Sequence, residues 1–217
     1  MMVRSHAPHT CHVPWWPRVI AGIVTLCGMS GSAQLCHAQA RVGTQAPLFI
    51  LTDAMGQQRA LADFRGKFVV LEWFNNDCPF VGKQYGSGNM QRLQATYTAK
   101  GVVWLTMISS APGKQGHASP EEARAIIAKR TAHQTALLLD PDGAVGRLYG
   151  AKTTPHMFVI DPQGRVMYAW AIDDHPSTNP DDVPQATNYV QRALDEALSG
   201  HPVSMPETTS YGCSVKY

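Results

Sequence analysis

The stretch Phe68-Val69-Val70-Leu71-Glu72-Trp73-Phe74-Asn75-Asn76-Asp77-Cys78-Pro79-Phe80-Val81 decides how this chain is read. Its first seven residues are β-branched, aliphatic or aromatic, with one charge among them. Such a run is apolar on both faces and reads as a strand buried in the middle of a sheet. Pro79 suits the first turn of a helix, where its missing N–H costs nothing. Cys78 therefore falls where a strand ends and a helix begins. The N–H groups of a helix start are unpaired and carry partial positive charge, so a thiol there is expected to have a lowered pKa and a larger thiolate fraction. Asp77 works in the opposite direction, because an adjacent carboxylate raises a thiol pKa. A lone cysteine is more often a small core residue; the junction ahead of Pro79 is what favours a working thiol.

Outward from this stretch, strand and helix signals alternate. On the N-terminal side, Leu48 to Leu51 is a short apolar run ended by the turn-like Asp53-Ala54-Met55-Gly56. On the C-terminal side, Pro79 to about Lys100 reads as a helix broken near Gly86-Ser87-Gly88. Val102 to Ile108 reads as a second apolar strand. Ser119-Pro120-Glu121-Glu122 opens another helix by its cap chemistry, running to about Thr131. Ala136 to Leu139 is a strand and Gly143 to Tyr149 a helical turn. Met157 to Ile160 and Val166 to Ile172 flank the hairpin turn Asp161-Pro162-Gln163-Gly164. Thr187 to Leu198 is an amphipathic helix, and the tail beyond Gly200 reads as irregular and mobile. The expected fold is an α/β sandwich with a mixed sheet.

The chain has 217 residues, 18 Lys+Arg against 16 Asp+Glu, and is 44% hydrophobic. That excludes a disordered chain, and there is no basic excess to suggest a nucleic-acid partner. Residues 1–40 read as a cleavable signal peptide: Arg4 and Arg18 are their only Lys or Arg, Val19 to Met29 is a short apolar run, and Ala38-Gln39-Ala40 is an A-x-A end. An uncleaved N-terminal anchor is the alternative. Cleavage removes Cys11, Cys27 and Cys36 and leaves Cys78 and Cys213, with side-chain charges balanced and no attraction to a membrane surface. In an exported, oxidising setting those two are one disulfide or two working thiols.

Three segments resemble the thioredoxin superfamily in its exported redoxin branch, the one that includes alkyl hydroperoxide reductase/thiol-specific antioxidant proteins. "GTQAPLFILTDAMGQQRALADFRGKFVVLEWF" is similar to the redoxin opening, "DCPF" to the active-site turn, and "KTTPHMFVID" to the cis-proline loop. The likeness runs from about Gly43 to Leu198. It implies a thioredoxin-like three-layer sandwich over residues 41–200, followed by a tail, residues 201–217, that carries Cys213. It also implies that Cys78 is the attacking cysteine and that Pro155 is cis. Glu72, six residues before Cys78, takes the place of the family's buried proton-transfer acid. Thr154, Pro155, Pro79 and Phe80 form the substrate-contacting set. The family's second turn cysteine is replaced by Val81. A mixed disulfide on Cys78 must then be resolved by Cys213 or by an external thiol; a structural clip or a free or intermolecular thiol are the other readings of Cys213.

The function expected is thiol–disulfide exchange on a disulfide-containing substrate, with an external thiol or thioredoxin-like protein as electron donor and no cofactor. Two alternatives stand beside it. A peroxiredoxin-like thiol peroxidase acting on a peroxide substrate would use the same cysteines, but the usual P-x-x-x-[TS]-x-x-C pattern has Leu71 and Asn75 at its key positions, and Pro155 stands where the peroxide-polarising arginine is usual. Asn75 and Asn76 are the only substitute donors nearby. A redox-silent module holding extended peptides on the Pro155 loop is the second alternative. His156 reads as a loop histidine, Asp173-Asp174-His175 as a solvated loop rather than a metal cluster, and Ser109 to Gly116 as a loop at the Cys78 end of the sheet.

Overall fold

The computed structural model describes residues 39–217. All of the leader reading except Gln39 and Ala40 lies outside the described residues. The strands are β1 (Ile50–Asp53), β2 (Gln58–Ala60), β3 (Val69–Trp73), β4 (Val103–Ile108), β5 (Ala136–Leu139), β6 (Thr153–Thr154), β7 (His156–Ile160), β8 (Val166–Trp170) and β9 (Cys213–Ser214). The helices are α1 (Pro79–Gly86), α2 (Asn89–Ala99), α3 (Pro120–Arg130), α4 (Ala144–Tyr149) and α5 (Tyr189–Leu198). Seven strands form one sheet in the order β2-β1-β5-β4-β3-β7-β8, and β6 pairs with β9 apart from it. β3, β4 and β5 run parallel, while β7 and β8 are antiparallel to their neighbours.

The mixed sheet follows from the apolar runs. All five residues of β3 are buried, and strand alternation sends them to two cores. Val70 joins Trp104, Tyr85, Leu93, Tyr97, Ala123, Val190 and Leu194 under α1, α2, α3 and α5. Leu71 and Trp73 join Leu105, Met107, Phe158, Val145 and Tyr149 under α4 and the N-terminal segment. Helices or chain on both faces make the three layers. Truncating one of these fully buried aliphatic side chains, such as Leu71, costs about 2–5 kcal/mol.

Local chemistry sets the element ends. The expected break occurs at Ser87 and Gly88, where Gly88 takes φ +73° between α1 and α2. Ser119 and Glu122 cap α3 reciprocally, the Glu122 N–H donating to Ser119 Oγ at 3.2 Å and the Ser119 N–H to Glu122 Oε2 at 2.7 Å. The apolar run Leu48 to Leu51 is only partly buried. Leu48 and Ile50 are 60% and 65% exposed, because β1 lies toward the sheet edge and offers one face to solvent.

The tail corrects a larger expectation. It is not loose. The Ala169 N–H donates to the Pro206 carbonyl at 3.0 Å, and the Ala171 N–H to Thr208 Oγ1 at 3.0 Å. Cys213 then pairs antiparallel with Thr154, and Ser214 with Thr153. The Val215 N–H donates to Lys152 at 3.0 Å, and the Ala111 N–H to Lys216 at 2.8 Å. Tyr217 lies against Gly143 and Gly146, where an added Cβ would sit 2.4 and 2.5 Å from its ring, and its hydroxyl donates to Ala151 O at 2.7 Å. Backbone pairing and isolated aromatic anchors hold the segment, so no apolar periodicity announces it.

Candidate active site

The sheet register brings the site together. β3 and β7 pair Trp73 with His156, so the turn leaving β3 faces the loop entering β7. Cys78 is the N-cap of α1, with Pro79 in the first turn. Pro155, buried beside it, is joined to Thr154 by a cis peptide bond, as the resemblance implied. In the thiol form Cys78 Sγ donates to the Thr154 carbonyl at 3.1 Å. Cys213, opposite Thr154 in the β6–β9 pair, presents its own thiol to the same sulfur. Both cysteines are free.

Cys78 is 1% exposed. Burial pushes its pKa up, and four donors outweigh it: the Cys213 thiol, the Thr154 side chain, and the backbone N–H groups of Val81 and Cys213. The net shift is downward. The Thr154 carbonyl favours the thiol, whereas the Thr154 hydroxyl, buried and otherwise unpartnered, favours the thiolate. The helix start contributes through Val81. Asp77 points away, being exposed. Cys213 moves the other way, to about 11, through burial and then its hydrogen bond to Cys78 and the Cys78 charge; Lys216 partly offsets this. The two shifts run in opposite directions and make Cys78 the more acidic thiol of the pair.

Glu72 is fully buried on the same face of β3 as Val70. Its carboxylate accepts from Trp104 Nε1 at 2.8 Å, Tyr85 Oη at 3.0 Å, Thr106 Oγ1 at 3.1 Å and Gln94 Nε2 at 3.3 Å. Burial raises its pKa against these four donors. Among the described residues, none of its hydrogen bonds reaches Cys78, so the structure does not join it directly to the thiols. Pro79 is exposed, and Phe80 packs edge-on against Tyr211 of the tail with centroids 5.8 Å apart.

Several neighbours depart from the sequence reading. Asp173 is not in a solvated loop: it is 2% exposed and accepts from Gln84 Nε2 at 2.6 Å, Lys83 Nζ at 3.4 Å, the His175 N–H at 2.9 Å and the Tyr211 hydroxyl. His156 is a strand residue rather than a loop one, and burial, then the Lys152 charge, holds its pKa down to about 3. Asn75 does not aim at the sulfur. Its Oδ1 accepts the Asp77 N–H at 2.9 Å and its Nδ2 donates to Gln115 O at 3.4 Å. Asn76 receives Arg130 at Oδ1 and at its carbonyl. The sequence reading misplaced Asp173 and gave no role to Tyr211, Gly212 or Lys83. The one signal for them was Tyr-Gly directly before Cys213, a glycine where a chain must approach closely.

A mixed sheet with helices on both faces, a cysteine capping the helix after its central strand, and a second thiol on that sulfur are the fold and site of a thiol-dependent oxidoreductase. The chain belongs to the AhpC/TSA family, whose pattern matches residues 42–169, more than half of its length. It is 27% identical over 126 residues to the thiol-disulfide oxidoreductase ResA of Bacillus thuringiensis subsp. konkukian, a match covering 58% of this chain and 67% of that protein. Among solved structures, an uncharacterized conserved protein from Geobacillus kaustophilus superposes with TM-score 0.72 at 28% identity, over 82% of this chain and 92% of that one. A structure from Chlorobium tepidum bearing the name thiol:disulfide interchange protein DsbE aligns with TM-score 0.53 at 24% identity, over 75% of this chain and 98% of that one. The fold is thioredoxin-like, as the resemblance implied.

Proposed function

We propose that this protein is an exported thiol–disulfide oxidoreductase in which Cys78 attacks and Cys213 resolves. The observation that carries the reading is the β6–β9 pair, which sets Cys213 opposite Thr154, the residue whose carbonyl accepts the Cys78 thiol at 3.1 Å, so that two free cysteines share one site. The Cys78 thiolate attacks one sulfur of a substrate disulfide. The substrate S–S bond breaks, one half leaves as a thiolate, and a mixed disulfide remains on Cys78. That step removes the Cys78 charge and acceptor, two of the causes that raise the Cys213 pKa. Cys213 then loses its proton more readily, attacks Cys78 Sγ and expels the second substrate thiol. The substrate has gained two electrons, and the enzyme holds a Cys78–Cys213 disulfide. An external dithiol, such as a thioredoxin-like donor, restores both thiols.

Thr154, Pro155, Pro79 and Phe80 line the approach to the sulfur, and Glu72, its pKa raised by burial, acts as a proton store for the exchange. Export rests on the leader reading of residues 1–40. Disulfide exchange is favoured over peroxide cleavage because the amides of Asn75 and Asn76, the substitute donors, are turned to other partners. Peptide mapping of the mild-oxidant product tests the proposal. A Cys78–Cys213 linkage is expected; if Cys78 is instead found only as a sulfinic acid or joined between chains, the resolving role of Cys213 is lost.

A further inference from the structure

Two residues before Cys213, Tyr211 is fixed by groups that belong to the helix of Cys78. Its hydroxyl donates to Asp173, the carboxylate that Lys83 and Gln84 of α1 also hold. Lys83 is itself 2% exposed, donates to His175 O at 2.7 Å, and places its ammonium 5.9 Å from the Tyr211 ring centre. The ring packs on Phe80, in the first turn of α1. Between Tyr211 and Cys213 stands Gly212, at φ +130°, where a Cβ would lie 2.2 Å from the Thr154 carbonyl. The tail therefore reaches the attacking sulfur through one narrow passage, with its entry clamped to α1.

The Tyr211 hydroxyl takes no part in the β6–β9 pair itself. Asp173 is satisfied by Lys83, Gln84 and the His175 N–H without Tyr211, so the phenol is an added contact to an already balanced carboxylate. We infer that Tyr211 and Asp173 form a latch that positions Cys213 over Cys78, making Tyr211 a positioning residue for the resolving step. The inference rests on the exchange reading above and assigns what sets its two rates. A closed latch shields Cys78 and holds the resolving thiol in place; an open latch exposes Cys78 and takes that thiol away. Loosening it must therefore speed the first attack and slow the second, two changes of opposite sign that simple loss of stability does not produce.

The test uses the reduced mature protein and a chromogenic aromatic disulfide. Attack by Cys78 releases one aromatic thiolate and leaves the other half on Cys78. Attack by Cys213 releases the second and closes the Cys78–Cys213 bond. Tyr211→Phe keeps the ring on Phe80 and removes only the hydroxyl. Loss of a hydrogen bond to a buried charged group predicts a first phase faster, and a second phase slower, by about tenfold each. Gly212→Ala serves as the second variant, since its Cβ forces the strap off Thr154 without touching Asp173, and the same pair of changes is expected. If wild type releases no second equivalent, the resolving role of Cys213 fails, and the latch with it. If wild type releases both and Gly212→Ala shows the opposed changes while Tyr211→Phe shows neither, the latch alone is overturned. Phases that both slow in Tyr211→Phe also overturn it, marking a structural role.

Discussion

The two cysteines are held in place by different means. Cys78 is positioned by neighbours in sequence: a buried strand ends at Trp73, a proline-started helix begins at Pro79, and the short turn between them leaves no choice of place. Cys213 is positioned by residues scattered over the chain, Thr154 in β6, Asp173 after β8, and Gly143 and Gly146 at α4. A site half local and half assembled concentrates its chemistry in the local half and its control in the assembled one.

The sharpest break between the halves is chemical. Cys78→Ser is expected to cut disulfide exchange by about a thousandfold or more, the scale of losing a nucleophile. Cys213→Ser should keep the first attack and accumulate the mixed disulfide, read by intact-protein mass after a single turnover. Equal losses in both variants would make the two thiols one unit and erase the distinction.

Glu72 is the next largest. Its pKa is raised by burial, so in the window from the ordinary carboxylate range up to the raised value the native state keeps a proton that the unfolded chain has released. Stability therefore falls as pH rises through that window. In Glu72→Gln the amide oxygen can take the donors of Trp104, Thr106 and Gln94 while the amide nitrogen faces the Tyr85 hydroxyl. The variant should fold, lose that pH slope in denaturant unfolding, and exchange more slowly near neutrality. An unchanged pH–rate profile would remove Glu72 from proton transfer.

Thiolate absorbance sharpens the comparison at a smaller scale. Cys78 titrates below its ordinary value and Cys213 near 11, so wild type should show two separated steps. In Cys78→Ala the Cys213 step should fall from there, because burial alone remains to raise it. In Cys213→Ala the Cys78 step should rise, having lost its strongest donor. The smallest effect is expected from Tyr217→Phe, which loses one hydrogen bond to Ala151 O, about 1 kcal/mol, confined to the strap. Hydrogen exchange should quicken at β9 with the β3 amides unchanged.

What was legible in the sequence tracks this division. β3, β4, the α1–α2 break, the α3 cap and the hairpin after β7 are each specified by a contiguous run or a turn residue, and they appear where they were expected. The family resemblance, rather than any local signal, picked out Cys78 and the Pro155 loop as parts of one site. It did not show that the tail is strapped down, because Tyr211 and Tyr217 anchor singly and the backbone of β9 pairs without regard to side chain. Nor did it show Asp173 as buried: the run Asp-Asp-His looks solvated until Lys83 and Gln84 are brought to it from α1.

The Glu72 cage has an optical side. Trp104 donates its indole N–H to Glu72 Oε2 at 2.8 Å, while Trp73, equally buried, donates to Ser109. The charge on the carboxyl thus changes directly beside one fluorophore and not the other. Emission from Trp104, isolated in the mature protein by replacing Trp73 and Trp170 with Phe, should titrate with Glu72, giving the protein a built-in indicator dye for its own interior proton.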